Sequence, residues 1–226
     1  MPIYKYELHA HTSECDPYAM VSAAQLVRRY QEAGYDGIVI TDHYMDLFFH
    51  SWFPEELKGL SPGQQIKRWL KGYDTAREAG ERLGFTVLPG AEVRFDGQPN
   101  DYLLYGLDAE VLCAAPRLHA LKDLQELLAV LPQEVCVVQA HPFRDGMEVK
   151  KPRGLFGMEV YNGGTDSFRN AMARLFAEHY GLAMTSGSDI HGLGQLAKGG
   201  ILTERKIKTP KDLREVLRSG AYALIE

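Results

Sequence analysis

Gly37-Ile38-Val39-Ile40 is the stretch that best indicates the fold of this chain, and Thr41-Asp42-His43 follows it directly. Four consecutive apolar residues are typical of a short strand that is buried on both faces of a parallel sheet. The polar residues that follow would then lie at the carboxyl end of that strand. In proteins built on parallel strands, this is the end where catalytic and ligand-binding side chains gather.

Strand-like and helix-like runs alternate on both sides of this stretch. The expected strands cover residues 4–9, 37–40, 86–88, 102–105, 135–138, 156–160, 182–185 and 221–225. The expected helices, with their capping residues, cover residues 22–34, 61–84, 117–131, 166–181 and 209–220. This alternation predicts an α/β fold with parallel strands, in a single domain over residues 1–226. The number of strands fits a closed barrel, whereas a doubly wound open sheet would normally carry a glycine-rich phosphate turn after its first strand.

Composition and charge exclude several classes of protein. The chain has 25 basic and 30 acidic residues and a formal charge of −5, so it lacks the basic footprint of a duplex-binding protein. No apolar stretch is long enough to span a membrane, and the N-terminus lacks the apolar core of a signal peptide. Cys15, Cys113 and Cys136 form neither a CxxC pair nor a secreted disulfide framework, so we expect a reducing compartment, the cytoplasm.

Residues of the types that bind metals occur in five places, each just after a predicted strand. They are His9-Ala10-His11, Asp42-His43, Glu92, His141 and Asp189-Ile190-His191. Because the carboxyl ends of barrel strands share one face, these side chains are expected to converge. Positions i and i+2 of an extended segment point the same way, so His9 and His11 can bind together. Unpaired burial of so many polar groups would be costly, and a multi-metal site is therefore predicted.

The remaining histidines are expected to be solvated or structural. His50, His119 and His179 lie in a loop or in helix-like segments, away from the predicted strand ends.

The ligand-type residues resemble the motifs of the PHP family, named for polymerase and histidinol phosphatase. The matching motifs keep the order of that family: Glu7-Leu8-His9-Ala10-His11-Thr12, Thr41-Asp42-His43, Gly90-Ala91-Glu92, Ala140-His141-Pro142-Phe143-Arg144 and Gly187-Ser188-Asp189-Ile190-His191. The resemblance implies a distorted seven-stranded (β/α) barrel with two or three divalent metal ions, typically zinc, manganese or iron. It also implies hydrolysis of phosphoester bonds.

The resemblance further implies how the ligands divide among the metals. The first metal would take His9, His11, Glu92 and Asp189, and Glu92 would bridge to a second metal that His141 also binds. A third metal would take His43 and His191, together with a residue of the loop after the first motif. Asp16 in that loop is the expected ligand, and Glu14 is the alternative.

Asp101 is the position where this chain departs from the family pattern. Many relatives carry a histidine ligand of the second metal there. An aspartate can bind the same metal through oxygen and would favour a harder ion. The alternative is that Asp101 is a loop residue ahead of the following strand.

Catalytic roles are assigned to Glu92, Asp189, His191 and Arg144. Clustered metals lower the pKa of a shared water to about 7 and so supply hydroxide. Arg144 follows His141 by three residues, and its planar fork suits a phosphate, although a supporting role is the alternative. Asn162 and Lys198 are further candidate substrate contacts. The expected partner is a small phosphorylated substrate: a nucleotide, a sugar phosphate, histidinol phosphate or an oligonucleotide end.

Two other functions are compatible with the sequence. A metal-dependent amidohydrolase also uses an HxH pair on the first strand of a barrel, but usually adds a metal-bridging lysine for which the sequence offers no good match. A non-catalytic metal-binding PHP module is the other alternative, because PHP domains attached to polymerases can lose their ligands.

Overall fold

The computed structural model describes residues 2–226, which form a mixed α/β fold with two sheets. The strands are β1 Tyr4–Glu7, β2 Gly37–Ile40, β3 His43–Tyr44, β4 Thr86–Pro89, β5 Ala91–Arg94, β6 Asp101–Tyr105, β7 Cys136–Gln139, β8 Gly157–Asn162, β9 Ala183–Gly187, β10 Gly200–Thr203 and β11 Ala223–Ile225. The helices are α1 Ala23–Glu32, α2 Pro54–Leu57, α3 Pro62–Trp69, α4 Lys71–Leu83, α5 Ala109–Ala114, α6 Leu124–Val130, α7 Ser167–Tyr180 and α8 Pro210–Ser219. All the strands expected from the sequence are present, whereas β3, β5 and β10 were not anticipated.

The seven-stranded barrel is not confirmed. Within residues 2–226 the strands form two sheets that do not close, in the orders β11-β10-β1-β2-β4 and β3-β5-β6-β7-β8-β9. The expectation of parallel strands is also wrong in part, because β6 runs antiparallel to β5 and β7, and β10 runs antiparallel to β1 and β11. Only six residues, 95–100, join β5 to β6, and a parallel pair needs a crossover of about a dozen residues or more.

Two pairs of short strands carry the chain from one sheet to the other. The β2 strand leads into β3 across Thr41-Asp42, and β4 leads into β5 across Gly90. A side chain at Gly90 would lie 2.8 Å from Val39 Cγ1 and 3.0 Å from the Leu104 carbonyl oxygen, so only glycine allows this close approach. These crossings place the ligand-bearing ends of the strands together.

A parallel bridge between Ala10 and Ile190 joins the segments that follow β1 and β9. It includes a hydrogen bond from Asp189 N to the His9 carbonyl oxygen, 2.9 Å long. The HxH motif and the Asp-x-His motif therefore run side by side.

The helices begin and end largely where the sequence predicts. Asp166 Oδ1 accepts a hydrogen bond from Arg169 N at the start of α7, and Gly181 ends that helix with a φ of 63°. The helix expected over residues 61–84 is two helices that meet at Leu70. The helix expected over 117–131 is a 3₁₀ turn followed by α6, because Asp123 caps a new helix between them.

The core lies between these helices and the sheets. Helices α1 and α4 pack on β2, where Leu26, Val27 and Ile38 are buried in one cluster. Helix α7 packs on β8 through Ala173 and Met158. Among residues 2–226, no helix combines the length and the apolar character needed to cross a membrane.

Candidate metal centre

The ligand-type residues that are scattered through the sequence converge at one place. They come from β3 and β5 and from the segments that follow β1, β7 and β9. Three groups offer ligand atoms within 4.8 Å of one another: His11, Asp16, His43 and His191; His9, Glu92 and His141; and His9, His11 and Asp189. Because His9 and His11 each belong to two groups, the three groups form one continuous cluster, called here the central cluster.

Glu92 is fully buried in the middle of the central cluster. Its Oε1 lies 2.9 Å from His141 Nε2 and 3.4 Å from His9 Nε2. Its Oε2 lies 3.1 Å from His43 Nε2 and 3.4 Å from His11 Nε2. Each oxygen thus faces a different pair of histidines, which is the arrangement of a carboxylate that can bridge two cations.

Asp16 organises the outer part of the central cluster. Its Oδ2 lies 3.0 Å from His43 Nδ1 and 3.1 Å from His191 Nε2. The ring of His11 stacks on both of these histidines, with centroid separations of 4.1 Å and 4.4 Å. Glu14, the alternative ligand, instead accepts a hydrogen bond from the first backbone N–H of α1. The loop therefore presents Asp16, and not Glu14, to the other ligands.

Several buried polar atoms of the central cluster have no hydrogen-bond partner within residues 2–226. They are His9 Nε2, His11 Nδ1, His11 Nε2, His141 Nδ1 and Glu92 Oε2. Orphaned buried polar atoms are uncommon in folded proteins and call for an explanation, such as an ion. The residues present therefore fit a site for divalent cations.

The electrostatics of the cluster keep its carboxylates ionised and His11 neutral. Burial opposes ionisation of Glu92 and Asp189, yet the neighbouring His9 and other histidines hold the pKa of both carboxyls well below the usual range. Burial lowers the pKa of His11 to about 3, and His43 and His191 reinforce this effect. Cation binding requires ionised carboxylates and neutral imidazoles. Against the effect of burial, the neighbouring carboxylates raise the pKa of His9 and raise that of His43 to about 10, so both histidines would release a proton when a cation binds.

Two of the candidate ligands have unusual backbone conformations. His141 has a φ of 26° and Asp189 a φ of 51°, in the left-handed region that residues other than glycine seldom adopt. Such conformations persist only where the surroundings enforce them, and they concentrate at functional sites. Here the His141 N–H donates to Glu159 Oε2, 3.0 Å away, and holds the peptide in place.

Glu159, in the middle of β8, is a supporting residue that the sequence analysis missed. Its Oε1 lies 2.8 Å from His9 Nδ1, and its Oε2 accepts from the backbone of His141 and from Asn162 Nδ2. A carboxylate on the second nitrogen of a ligand histidine fixes the orientation of the ring and makes it a stronger ligand. An acidic residue inside the apolar run of residues 156–160 was the available signal.

Glu7 is a second supporting residue without an assigned role. Its carboxylate accepts hydrogen bonds from the backbone N–H groups of His9 and Ser188, both 2.9 Å, and from the Tyr30 hydroxyl at 2.8 Å. Burial raises the pKa of Glu7. The side chain ties the HxH strand to the segment that carries Asp189.

Asp42 was grouped with His43 in the sequence, but it does not belong to the three ligand groups. Its carboxylate accepts from Thr12 N at 2.6 Å and from Thr12 Oγ1 at 2.8 Å. Burial raises the pKa of Asp42 to about 7. Asp42 therefore anchors the start of the loop that presents Asp16.

Asp101 is buried at the start of β6, and Arg94 binds both of its oxygens. Arg94 Nε donates to Oδ1 at 2.6 Å and Nη2 donates to Oδ2 at 2.5 Å. Asp101 Oδ2 lies 3.7 Å from His141 Nε2. The aspartate is thus next to the ligands, but it lies outside the three ligand groups.

The three candidate substrate contacts differ in position. Arg144 Nη2 donates to Asp189 Oδ2 at 2.5 Å and to Asn162 Oδ1 at 2.8 Å, and 32% of the Arg144 side chain is exposed. Asn162 is fully buried, with its Nδ2 3.2 Å from Asp189 Oδ2, so it contacts a ligand. Lys198 is exposed, and its backbone N–H donates to Ser188 Oγ.

Comparisons with known proteins find similarity in the fold and, over part of the chain, in the sequence. A family described as PHP-associated matches residues 168–222, and no curated protein matches the chain. A two-domain protein from Bacteroides vulgatus that contains a predicted PHP-like metal-dependent phosphoesterase is similar at 19% identity, with a TM-score of 0.69 over 99% of this chain. The chain spans 64% of the length of that protein.

Two further solved structures are similar over most of both chains. A candidate metal-dependent phosphoesterase from Bifidobacterium adolescentis has 17% identity and a TM-score of 0.55, over 94% of this chain and 95% of its own. An amidohydrolase from Chromobacterium violaceum, solved with bound sulfate and no metal, has 17% identity and a TM-score of 0.57, over 98% of each chain. At these identities the likeness concerns the fold. The PHP-associated match, over residues 168–222, agrees with the resemblance of the sequence motifs to those of the PHP family.

Proposed function

We propose that this chain hydrolyses a small phosphomonoester or phosphodiester at a di- or trinuclear centre of divalent cations. The observation that carries the proposal is the position of Glu92, whose two oxygens face different histidine pairs. A carboxylate so placed can hold two cations at a fixed separation. When bound, clustered cations would supply hydroxide at neutral pH and neutralise charge on the phosphoryl oxygens.

The side chains of the central cluster would hold these cations in the way that the sequence motifs imply. His9, His11 and Asp189 would bind the first, and Glu92 would link it to a second at His141. The remaining group of Asp16, His43 and His191 would bind a third. Imidazole nitrogens mixed with carboxylate oxygens suit zinc, manganese or iron, which are the expected metals.

Arg144 would bind and orient the substrate at this centre. Its Nη2 contacts Asp189, so the guanidinium is already fixed beside a ligand, and part of the side chain remains exposed to solvent. A fixed planar guanidinium offers paired donors to a phosphate. Asn162 would act through Asp189, and Lys198 would approach the substrate from the rim.

The proposed substrate is a small phosphorylated molecule, with a nucleotide, a sugar phosphate, histidinol phosphate and an oligonucleotide end as candidates.

The cysteines Cys15, Cys113 and Cys136 are free, which supports the cytoplasmic location expected from the sequence.

A metal-dependent amidohydrolase is the second candidate function. The fold similarity to the amidohydrolase from Chromobacterium violaceum supports it. Both functions use cations held by the same side chains, so substrate preference separates them. A non-catalytic metal-binding module is the third candidate, and it would bind metals without turnover.

The test combines metal content with activity. Protein purified without chelator is assayed for bound zinc, manganese and iron, and then for hydrolysis of an aryl phosphate, a bis-aryl phosphate and an aryl amide. We expect at least two metals per chain, turnover of a phosphate ester, loss of turnover with chelator and recovery on adding back metal. Preference for the amide would favour the amidohydrolase, and metal-loaded protein inactive on all three substrates would contradict both enzymatic proposals.

A further inference from the structure

Another group of ligand-type side chains lies outside the central cluster, beyond the ends of β3 and β5. Asp46 and Asp96 each lie two residues after one of these strands, and His119 lies in the 3₁₀ turn Leu118–Ala120. Each of the three offers a ligand atom within 4.8 Å of the others. Three separate segments of the chain thus converge at one point, called here the outer cluster.

Each aspartate of the outer cluster is paired with a histidine. His119 Nδ1 lies 2.9 Å from Asp96 Oδ1, and His50 Nδ1 lies 2.5 Å from Asp46 Oδ1. The rings of His50 and His119 have their centroids 6.1 Å apart. Two histidine–aspartate pairs therefore lie side by side, with both carboxylates directed toward the same space.

His119 was expected to be solvated or structural, and at 4% exposure it is buried and not solvated. Its ring stacks on Phe49 with a centroid separation of 4.8 Å, which accounts for the burial of its carbon atoms. Stacking does not account for the burial of the ring nitrogens, because Nε2 has no hydrogen-bond partner among residues 2–226. Without a cation, Asp96 Oδ1 accepts the proton of Nδ1; because no group occupies Nε2, that proton can move to Nε2 when a cation takes the Nδ1 lone pair.

His50 and His119 each contact one of the two aspartates, and Arg117 lies over the Phe49 ring, but among residues 2–226 no lysine or arginine pairs with Asp46 or Asp96. Carboxylates of the same sign repel one another unless a cation lies between them. Arg94 is the arginine nearest in sequence, but its guanidinium is engaged by both oxygens of Asp101. The packing of His119 on Phe49 does not require either aspartate.

We propose that Asp46, Asp96 and His119 bind a divalent cation, with Zn²⁺ the best match, at a site distinct from the central cluster. A nitrogen and two carboxylate oxygens are ligands that zinc accepts, and water would complete its coordination. His50 is the positioning residue of this site, because it holds the Asp46 carboxylate.

The geometry requires a small closure of the two aspartates. Ligand atoms around a tetrahedral zinc lie about 3.4 Å apart, given bonds of about 2.0–2.2 Å. The Asp46 and Asp96 side chains are 50% and 46% exposed, so both can move toward the buried His119 ring. Asp46, Asp96 and Arg94 are among the residues that line a cleft of about 160 Å³, from which a cation would reach the two carboxylates.

A cation at the outer cluster would tie together the two strands that carry ligands of the central cluster. The β3 and β5 strands pair in parallel, with His43 opposite Glu92. Asp46 and Asp96 each lie two residues beyond the last paired residue of one of these strands. The outer site would therefore restrain the relative position of His43 and Glu92 without contacting substrate.

The test counts zinc in the full-length protein. Wild type, Asp46→Asn/Asp96→Asn and His119→Gln are dialysed against the same low concentration of Zn²⁺, and the bound metal per chain is measured by elemental analysis. His179→Gln and Asp145→Asn, both at exposed positions away from the cluster, are the matched controls. Circular dichroism establishes that each variant is folded.

We expect both outer-cluster variants to bind one Zn²⁺ fewer than wild type, and both controls to match wild type. We also expect Zn²⁺ to raise the thermal midpoint of wild type more than that of the variants, because a lost site removes ligand-linked stabilisation. If His119→Gln fails to fold, the double aspartate variant decides alone, since its side chains are half exposed. Equal zinc content in wild type and that variant overturns the proposal, and so does a loss of more than one zinc. The count does not depend on hydrolysis, so it stands apart from the proposed function.

Discussion

Two arginine–aspartate pairs flank the central cluster, and they leave different atoms available for a cation. Arg144 contacts Asp189 through one oxygen, Oδ2, whereas Asp189 Oδ1 remains 3.2 Å from His11 Nε2 and 3.5 Å from His9 Nε2. Arg94 engages both oxygens of Asp101, in the bidentate geometry that an arginine fork prefers.

The difference between the two contacts follows from the position of each arginine in the fold. Arg94 and Asp101 are cross-strand partners in the antiparallel pair β5–β6, so the register itself aligns the two side chains. Arg144 lies in the loop after β7 and approaches Asp189 from the side, sharing the carboxylate with Asn162. One aspartate keeps an oxygen for a cation while the other is neutralised by its arginine. We infer that the central cluster offers a cation more anionic ligand atoms on the Asp189 side than on the Asp101 side.

The largest expected effect comes from Glu92, whose carboxylate contacts His9 and His11 on the Asp189 side and His141 on the Asp101 side. Glu92→Gln replaces a bridging anion with a neutral amide, and we expect metal binding and phosphoester hydrolysis to fall by orders of magnitude. Metal content and turnover of an aryl phosphate are measured, with Glu178→Gln on the exposed face of α7 as the control. Wild-type turnover in Glu92→Gln would show that this carboxylate does not bridge.

The next effect concerns Arg144 on the Asp189 side. Arg144→Ala should lose on the order of 2–4 kcal/mol of transition-state stabilisation in kcat/KM, because a charged donor to the phosphoryl group is removed. Arg144→Lys should recover only part of this, because an ammonium cannot reproduce the planar fork. Both variants should keep their metals.

Arg169→Ala is the control for Arg144, since Arg169 pairs with Asp145 and Asp166 on the surface. Unchanged kinetics in both Arg144 variants would leave Arg144 with the supporting role of holding Asp189.

A smaller effect is expected from Glu159, which acts through His9. Glu159→Gln keeps the shape of the side chain but removes the charge that faces His9 Nδ1, 2.8 Å away. Loss of such a partner typically weakens metal affinity by about 10–100-fold. Chelator competition measures this affinity, and an unchanged value would limit Glu159 to anchoring the backbone of His141.

The convergence of His9, Glu92, His141 and Asp189 could be anticipated from the sequence, because each lies after a strand expected from the sequence and the ends of such strands share a face. The supporting carboxylates could not. Glu159 meets His9 across 150 residues and Glu7 meets Ser188 across 181 residues, so both contacts depend on which strands become neighbours.

Local sequence patterns also failed to predict β5 and its pairing with β6. The β5 strand, Ala91–Arg94, is short and ends in a charged residue, so its sequence carries no strand signal. Its antiparallel register with β6 is what pairs Arg94 with Asp101. Without knowledge of that register, the sequence shows only an aspartate near a strand. Such a position fits a metal ligand and a loop residue equally well.

The smallest and most discriminating effect concerns that pair. Burial and the Glu92 carboxylate raise the pKa of Asp101, while Arg94 opposes the shift. If Arg94 keeps Asp101 from a cation, Arg94→Gln should release the carboxylate and strengthen the second metal site, with a shift toward manganese over zinc because oxygen is the harder ligand. Asp101→Ala alone should leave metal stoichiometry unchanged, and Arg94→Gln should have no effect on affinity in the Asp101→Ala background. Competition titrations of zinc against manganese on the four proteins measure the coupling between the two positions, which for contacting residues is typically about 0.5–3 kcal/mol.

Additive effects would mean that Arg94 does not act through Asp101. A lost metal in Asp101→Ala would make this aspartate a ligand despite its arginine, and Asp101→His should then raise the relative affinity for zinc.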